Sequence, residues 1–127
     1  MSVLTANDAD AAVVVLVVED EIFVRFDVAA CLEDAGYDVV EAATGEEAIA
    51  LCNAGTSIDM VITDINLGGS ASGWDVAERC RTVLPDVPVV YTSGKTIDPE
   101  RCVTGSIFMS KPYRHSDILD VCQRLAR

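Results

Sequence analysis

The chain has 127 residues, half of them hydrophobic, which is enough for one domain with a sizeable core. Its 21 acidic residues outnumber its 9 lysines and arginines, and the formal net charge of −12 argues against direct binding of nucleic acid or of anionic membranes. The five cysteines include no C-x-x-C pair and there is a single histidine, so a zinc site is not expected. An odd number of cysteines and no secretory leader favour free thiols in a reducing cytoplasm.

Hydrophobic periodicity in the first half of the chain predicts strands that alternate with helices. Residues 1–11 show no clear periodicity and are expected to form a flexible lead-in. The unbroken run of mostly β-branched residues at 13–18 predicts a strand that is buried on both faces, and a helical pattern follows it. A second strand is predicted at 38–42. The sequence T-G-E-E at 44–47 has the spacing of a capping box and opens a second helix through residue 52.

The second half of the chain repeats this alternation. Residues 59–64 predict a third strand that ends on an acid, and a glycine-rich loop at 67–73, expected to be flexible, leads to a third helix. Strands are predicted at 89–93 and 106–109, and a last helix follows the second of these. The crossover at 94–105 is short for a strand-helix-strand connection, so its helix is expected to be a single turn or absent.

Five alternations of strand and helix predict an α/β fold with a parallel sheet and helices on both faces. Function in such sheets gathers at the carboxyl ends of the strands. Three acids, a hydroxyl and a lysine fall at these ends: Glu19, Asp20, Asp64, Ser93 and Lys111. This set suits an aspartate that accepts a phosphoryl group, because a carboxylate can act as nucleophile, Mg²⁺ prefers oxygen ligands, and a lysine can hold a phosphoryl oxygen.

Three other functions share parts of this pattern. The G-K-T at 94–96 is the tail of a phosphate-binding P-loop, but Val89 stands where that motif needs its first glycine. An aspartate-nucleophile phosphohydrolase resembles D-x-D at its nucleophile, whereas this chain reads D-I-N at 64–66. A flavodoxin-like cofactor binder needs a phosphate-cradling first loop, and the E-D-E at 19–21 would repel a phosphate.

Over residues 13–125 or so, the chain resembles the receiver domain of two-component response regulators. The resemblance rests on V-L-V-V-E-D-E, V-I-T-D-I-N-L, P-V-V-Y-T-S-G and F-M-S-K-P-Y, which occur in the family's order. It implies a flavodoxin-like, five-stranded parallel sheet of order 2-1-3-4-5, with a short fourth helix, in a receiver domain that spans residues 12–127.

The resemblance also implies a role for each residue at the strand ends. By resemblance the roles are Asp64 as phosphoacceptor, Glu19, Asp20, Asp64 and the main-chain carbonyl of Asn66 as Mg²⁺ ligands, Lys111 as phosphoryl contact, Ser93 as switch hydroxyl and Phe108 as aromatic switch.

The function that this resemblance implies is that of a cytoplasmic, stand-alone response regulator. It would accept a phosphoryl group from a sensor histidine kinase or a histidine phosphotransfer protein, change conformation, and act on an unidentified downstream protein. No enzymatic activity beyond autodephosphorylation is expected. The starting methionine and the acidic lead-in favour a complete protein. The alternatives are the receiver module of a hybrid kinase, a phosphorelay intermediate or phosphate sink, and, more remotely, the phosphohydrolase.

Overall fold

A computed structural model of the protein describes residues 12–95 and 97–126. The expected flexible lead-in at 1–11 lies outside the described residues, as does Thr96, the last residue of the G-K-T stretch.

Five parallel strands form one sheet in the order β2-β1-β3-β4-β5. The strands are β1 (Val14–Val18), β2 (Asp38–Ala42), β3 (Met60–Asp64), β4 (Val89–Ser93) and β5 (Ile107–Ser110). The predicted strand order is confirmed, and each predicted strand lies within one residue of its observed bounds. The register pairs Asp64 with Thr92, and Ser93 with Ser110, so these strands end at the same edge.

Helices cover both faces of the sheet, as predicted. They are α1 (Ile22–Asp34), α2 (Gly45–Asn53), α3 (Gly73–Val83) and α4 (His115–Leu125). At the start of α2, Thr44 Oγ1 accepts a hydrogen bond from the Glu47 amide, but the Glu47 carboxylate bonds to the amide of Ala43 rather than to that of Thr44. In the part of the chain that the structure describes, no helix is long and apolar enough to cross a membrane.

Alternating side chains of β1 supply two separate halves of the hydrophobic core. Leu16 and Val18 face α2 and α3, whereas Val15 and Val17 face α1 and α4. All four side chains are almost completely buried. A parallel strand covered on both faces needs apolar residues at every position, which is why this run lacks the polar alternation of a half-exposed strand.

Among the described residues of the short fourth crossover, the only helical element is a 3₁₀ turn, Pro99–Arg101, which confirms the expectation of a single turn. The carboxylate of Asp98 accepts a hydrogen bond from the Glu100 amide and caps this turn. The crossover is attached to its surroundings by side chains: Arg101 forms salt bridges with Asp75 and Glu78 of α3, and the Val103 amide donates to the buried Tyr91 hydroxyl. These contacts hold the segment without a full helix.

Two of the five cysteines do not match the expectation of free thiols. Cys52 of α2 and Cys80 of α3 form a disulfide in the structure, with their Cα atoms 5.8 Å apart. The pairing arises because α2 and α3 lie side by side on one face of the sheet and both cysteines point into the same half of the core. Sequence spacing could not reveal this proximity. Cys31, Cys102 and Cys122 are free.

Candidate functional site

Three carboxylates meet at the carboxyl end of the sheet. Glu19 and Asp20 directly follow β1, and Asp64 is the last residue of the adjacent strand β3. One oxygen from each lies within 4.8 Å of the others. Glu19 and Asp64 are buried, whereas Asp20 is exposed to solvent. The structure therefore brings together the three acids that the sequence placed at strand ends.

Lys111, the first residue after β5, bridges two of these acids. Its Nζ lies 2.8 Å from Glu19 Oε1 and 3.1 Å from Asp64 Oδ2. Burial by itself would lower the pKa of Lys111, but its hydrogen bonds to Glu19 and Asp64, together with the charges of both carboxylates, outweigh burial and raise it. Lys111 is therefore a fixed cation beside Asp64, in the position needed to contact a group bound there.

Glu19 is held from several sides. Its carboxylate accepts a hydrogen bond from the Glu21 amide as well as from Lys111, and its main-chain carbonyl accepts one from Arg25 Nη1 at 3.0 Å. Burial is the largest influence on the Glu19 carboxyl and raises its pKa despite the neighbouring lysine. The sequence reasoning missed Arg25, although its position in the first turn of the helix after the acidic run was the available signal.

A chain of polar contacts joins Asp64 to the hydroxyl at the end of β4. The Asn66 amide N–H donates to Asp64 Oδ1 at 3.3 Å, and Asn66 Nδ2 donates to Ser93 Oγ at 3.5 Å. Ser93 Oγ also accepts a hydrogen bond from the Lys95 amide at 3.0 Å. Because neighbouring strand residues point to opposite faces, Thr92 cannot make these contacts. Ser93 is thus the hydroxyl that faces the phosphoacceptor candidate.

The loop after β3 approaches the site closely. A side chain at Gly73 would drive its Cβ into the main-chain oxygen of Asp64, so the start of α3 requires glycine there. The Gly73 amide donates to the Ile65 carbonyl at 2.9 Å. Further along the loop, the Gly68 amide donates to Asp20 Oδ2 at 3.2 Å. The glycines of this loop therefore contact the site, whereas sequence composition indicated only flexibility.

Phe108 lies on β5 next to Tyr91 of β4. Its ring is half-buried and packs against the half of the core that α2 and α3 cover. The structure places this residue on β5, the strand that precedes Lys111, next to the strand that ends at Ser93. Its movement as a switch remains a prediction.

The donor set of the acidic cluster fits Mg²⁺. All three side chains offer carboxylate oxygens, the ligands that this hard cation prefers, and no histidine or cysteine belongs to the cluster among the described residues. The exposure of Asp20 leaves this side of the cluster open to the waters that Mg²⁺ retains. The amide of Asn66 is at the site, so its carbonyl lies on the correct loop for a fourth ligand, a role that also remains a prediction.

The chain is similar to known proteins over most of its length. The family described as "Response regulator receiver domain" matches residues 15–123. The chain is 31% identical over 120 residues to the transcriptional regulatory protein PdtaR of Mycobacterium tuberculosis, covering 89% of this chain and 57% of that protein. It is 33% identical over 94 residues to the sensor kinase CckA of Brucella abortus, covering 73% of this chain and 10% of that protein.

A solved structure extends the likeness to three dimensions. The response regulator receiver protein of Sinorhizobium medicae superposes with a TM-score of 0.87 at 32% identity, covering 91% of this chain and 94% of that one. The five-stranded parallel fold, with its strand order β2-β1-β3-β4-β5, is thus shared with a known structure. The chain spans 57% of the length of PdtaR and 10% of the length of CckA.

Proposed function

Because this chain belongs to the response regulator receiver domain family, we propose that Asp64 accepts a phosphoryl group from a phosphohistidine on a sensor histidine kinase or a histidine phosphotransfer protein. The observation that carries this proposal is the position of Asp64 between Lys111, 3.1 Å away, and the acids Glu19 and Asp20. A nucleophilic carboxylate flanked by a fixed cation and by oxygen ligands for Mg²⁺ is what phosphoryl transfer requires.

The transfer step exchanges one bond to phosphorus for another. The phosphorus–nitrogen bond of the donor breaks as a phosphorus–oxygen bond forms to the Asp64 carboxylate, and the imidazole leaves with the electron pair. Glu19, Asp20, Asp64 and the Asn66 carbonyl would hold Mg²⁺, whose charge would neutralise the phosphoryl oxygens. The Lys111 ammonium, which donates to Asp64 Oδ2 at 3.1 Å, can transfer this hydrogen bond to an oxygen of a phosphoryl group carried by Asp64.

The signal would follow from the new charge. Ser93 Oγ, which now accepts from the Lys95 amide, can donate its own proton to a phosphoryl oxygen on Asp64. Drawing Ser93 towards Asp64 would move the chain after β4 and vacate space that Phe108 can fill. This is a local charge event that biases a two-state element. The downstream protein would recognise the altered surface.

The family is a signalling module rather than a class of enzymes, and its members interact with histidine kinases or phosphotransfer proteins. For this chain we propose intrinsic autodephosphorylation as the only reaction after transfer, since Asp20 leaves one side of the acidic cluster open to water. We also propose a cytoplasmic location. Which donor phosphorylates the chain is best tested by a phosphotransfer profile against the histidine kinases of the host.

A second candidate is the receiver module of a hybrid kinase. The likeness to the sensor kinase CckA favours it, because the matched region is 10% of that protein. The two candidates differ in the size of the protein in host cells. Detection of this sequence by an antibody at the mass of the 127-residue chain would support the stand-alone regulator, and detection at a much larger mass would support the hybrid kinase.

The proposed phosphoacceptor can be tested with acetyl phosphate and Mg²⁺. The parent should gain one phosphoryl group by intact mass, and Asp64→Asn should gain none. Asp86→Asn provides a matched control, because Asp86 is an exposed aspartate in the loop that precedes β4, at the opposite end of the strands. A phosphoryl group on Asp64→Asn, or its loss from Asp86→Asn, would contradict the assignment.

A further inference from the structure

We propose that Glu46, in the first turn of α2, is a positioning residue that holds the β3–α3 loop so that Gly68 and Asn66 orient the Mg²⁺ ligands. This inference rests on the proposed function of Asp64 and concerns a residue outside the acidic cluster. Here the term β3–α3 loop denotes residues 66–72.

Glu46 contacts the middle of the β3–α3 loop. Its Oε2 accepts a hydrogen bond from the Ser70 amide at 3.0 Å and a second, short one from the Ser70 hydroxyl. The Ser70 hydroxyl is the largest influence on the Glu46 carboxyl and holds its pKa below the usual range. At Gly69, with φ +143°, a Cβ would lie 3.2 Å from Glu46 Oε1. The carboxylate therefore lies directly against Gly69 and Ser70, two consecutive residues of the loop, and a side chain at Gly69 would crowd it.

The start of α2 also contacts the neighbouring loop backbone. A side chain at Gly45 would place its Cβ 2.6 Å from the main-chain oxygen of Ala71. The close packing of Gly45 and the hydrogen bonds of Glu46 thus fix residues 69–71 of the loop against α2. A glycine-rich segment has high conformational entropy when it is unrestrained, so such contacts have a large ordering effect.

The other attachments of the loop lead to the metal site. Two residues before Ser70, the Gly68 amide donates to Asp20 Oδ2 at 3.2 Å. At the beginning of the loop, the Asn66 amide donates to Asp64 Oδ1 at 3.3 Å. Groups that hydrogen-bond to metal ligands orient them and tune metal affinity. Glu46 therefore acts on Asp20 and Asp64 through a short segment of backbone rather than by contact.

Glu47 provides a control that distinguishes the positioning role of Glu46 from a general effect of negative charge at the start of α2. It stands next to Glu46 in the first turn of α2 and has the same charge, but its carboxylate accepts from the Ala43 amide on the other side of the cap. Removal of either acid changes the charge of the α2 N-terminus equally. Only removal of Glu46 releases the loop.

The test measures Mg²⁺ affinity by isothermal titration calorimetry for the parent, Glu46→Ala, Glu46→Gln and Glu47→Ala. Glu46→Ala should weaken binding by about three- to tenfold, below the roughly 10- to 100-fold typical of groups bonded directly to a metal ligand. Glu46→Gln keeps an oxygen acceptor for Ser70 without the charge and should stay within about twofold of the parent, as should Glu47→Ala, since a distant exposed charge is largely screened by salt.

A second measurement uses the protein without metal. Amide hydrogen exchange of Gly68, Gly69 and Ser70 should accelerate in Glu46→Ala and remain at the parental rate in Glu47→Ala. Equal Mg²⁺ affinity and equal exchange in Glu46→Ala and the parent would overturn the positioning role. Weakening by Glu47→Ala to the same extent would assign the effect to charge and would overturn it as well. If the parent itself binds no Mg²⁺, the proposed function fails, which is a distinguishable result.

Discussion

Replacing Lys111 by methionine removes the cation that joins Glu19 and Asp64 and keeps a side chain of similar length. Both carboxylates are buried, with 5% and 9% of their side-chain surface exposed, so neither can recover the lost hydrogen bond fully from water. Breaking a buried ion pair by removing one partner costs about 3–5 kcal/mol. Two effects reduce this cost: the Lys111 side chain is 26% exposed, and the variant does not have to bury an ammonium. We therefore expect the free energy of unfolding to fall by about 1–3 kcal/mol.

The same substitution should strengthen Mg²⁺ binding. The ammonium of Lys111 repels a divalent cation at the acidic cluster and occupies an oxygen of Glu19 and of Asp64. At ten times its dissociation constant, Mg²⁺ stabilises the folded chain by about 1.4 kcal/mol. If the variant binds tenfold more tightly, the same Mg²⁺ concentration stabilises it by about 2.7 kcal/mol.

Thermal unfolding with and without Mg²⁺ measures both effects. For a chain of this size, 1 kcal/mol corresponds to about 4 °C in Tm, so Lys111→Met should melt about 4–12 °C below the parent without metal and should gain more from Mg²⁺. Lys95→Met is the matched control, because Lys95 is the only other lysine and its side chain is exposed. Its Tm should stay near that of the parent. A metal-free Tm of Lys111→Met equal to that of the control, or a smaller gain from Mg²⁺, would refute the reasoning.

Three further variants test other features of the structure. Burial raises the pKa of Glu19, so this group stabilises the fold below its unfolded-state pKa, and that stability is lost as pH rises through its folded-state pKa. Metal-free Glu19→Gln should therefore gain stability relative to the parent as pH rises above 4.5. Free energies of urea unfolding that change in parallel with pH in the two proteins would contradict this. Breaking the disulfide by Cys52→Ala should cost about 3–4 kcal/mol for a bridge between residues 28 positions apart, with reductant destabilising only the parent. Ser93→Ala should still accept a phosphoryl group but lose phosphorylation-dependent NMR shifts around Phe108, whereas Thr92→Val should keep them.

The sequence alone determined the order of elements and the chemistry of the strand ends. The unbroken, mostly β-branched apolar run of β1 is typical of a strand covered on both faces, and such a strand belongs to a parallel sheet with helices on either side. In such a sheet the carboxyl ends of the strands share one edge, so Glu19, Asp64 and Lys111 were expected at the same edge. The short crossover before β5 was likewise readable from its length.

Tertiary structure alone decided which of these groups touch and what else they touch. Lys111 and Glu19 are 92 positions apart, and no local sequence pattern indicates that their side chains form an ion pair. The contact of Glu46 with Ser70 and the pairing of Cys52 with Cys80 arise from how α2 lies beside α3 and the loop before it. Periodicity reports which face of an element is buried, but the partner across the interface depends on packing between elements that are distant in sequence.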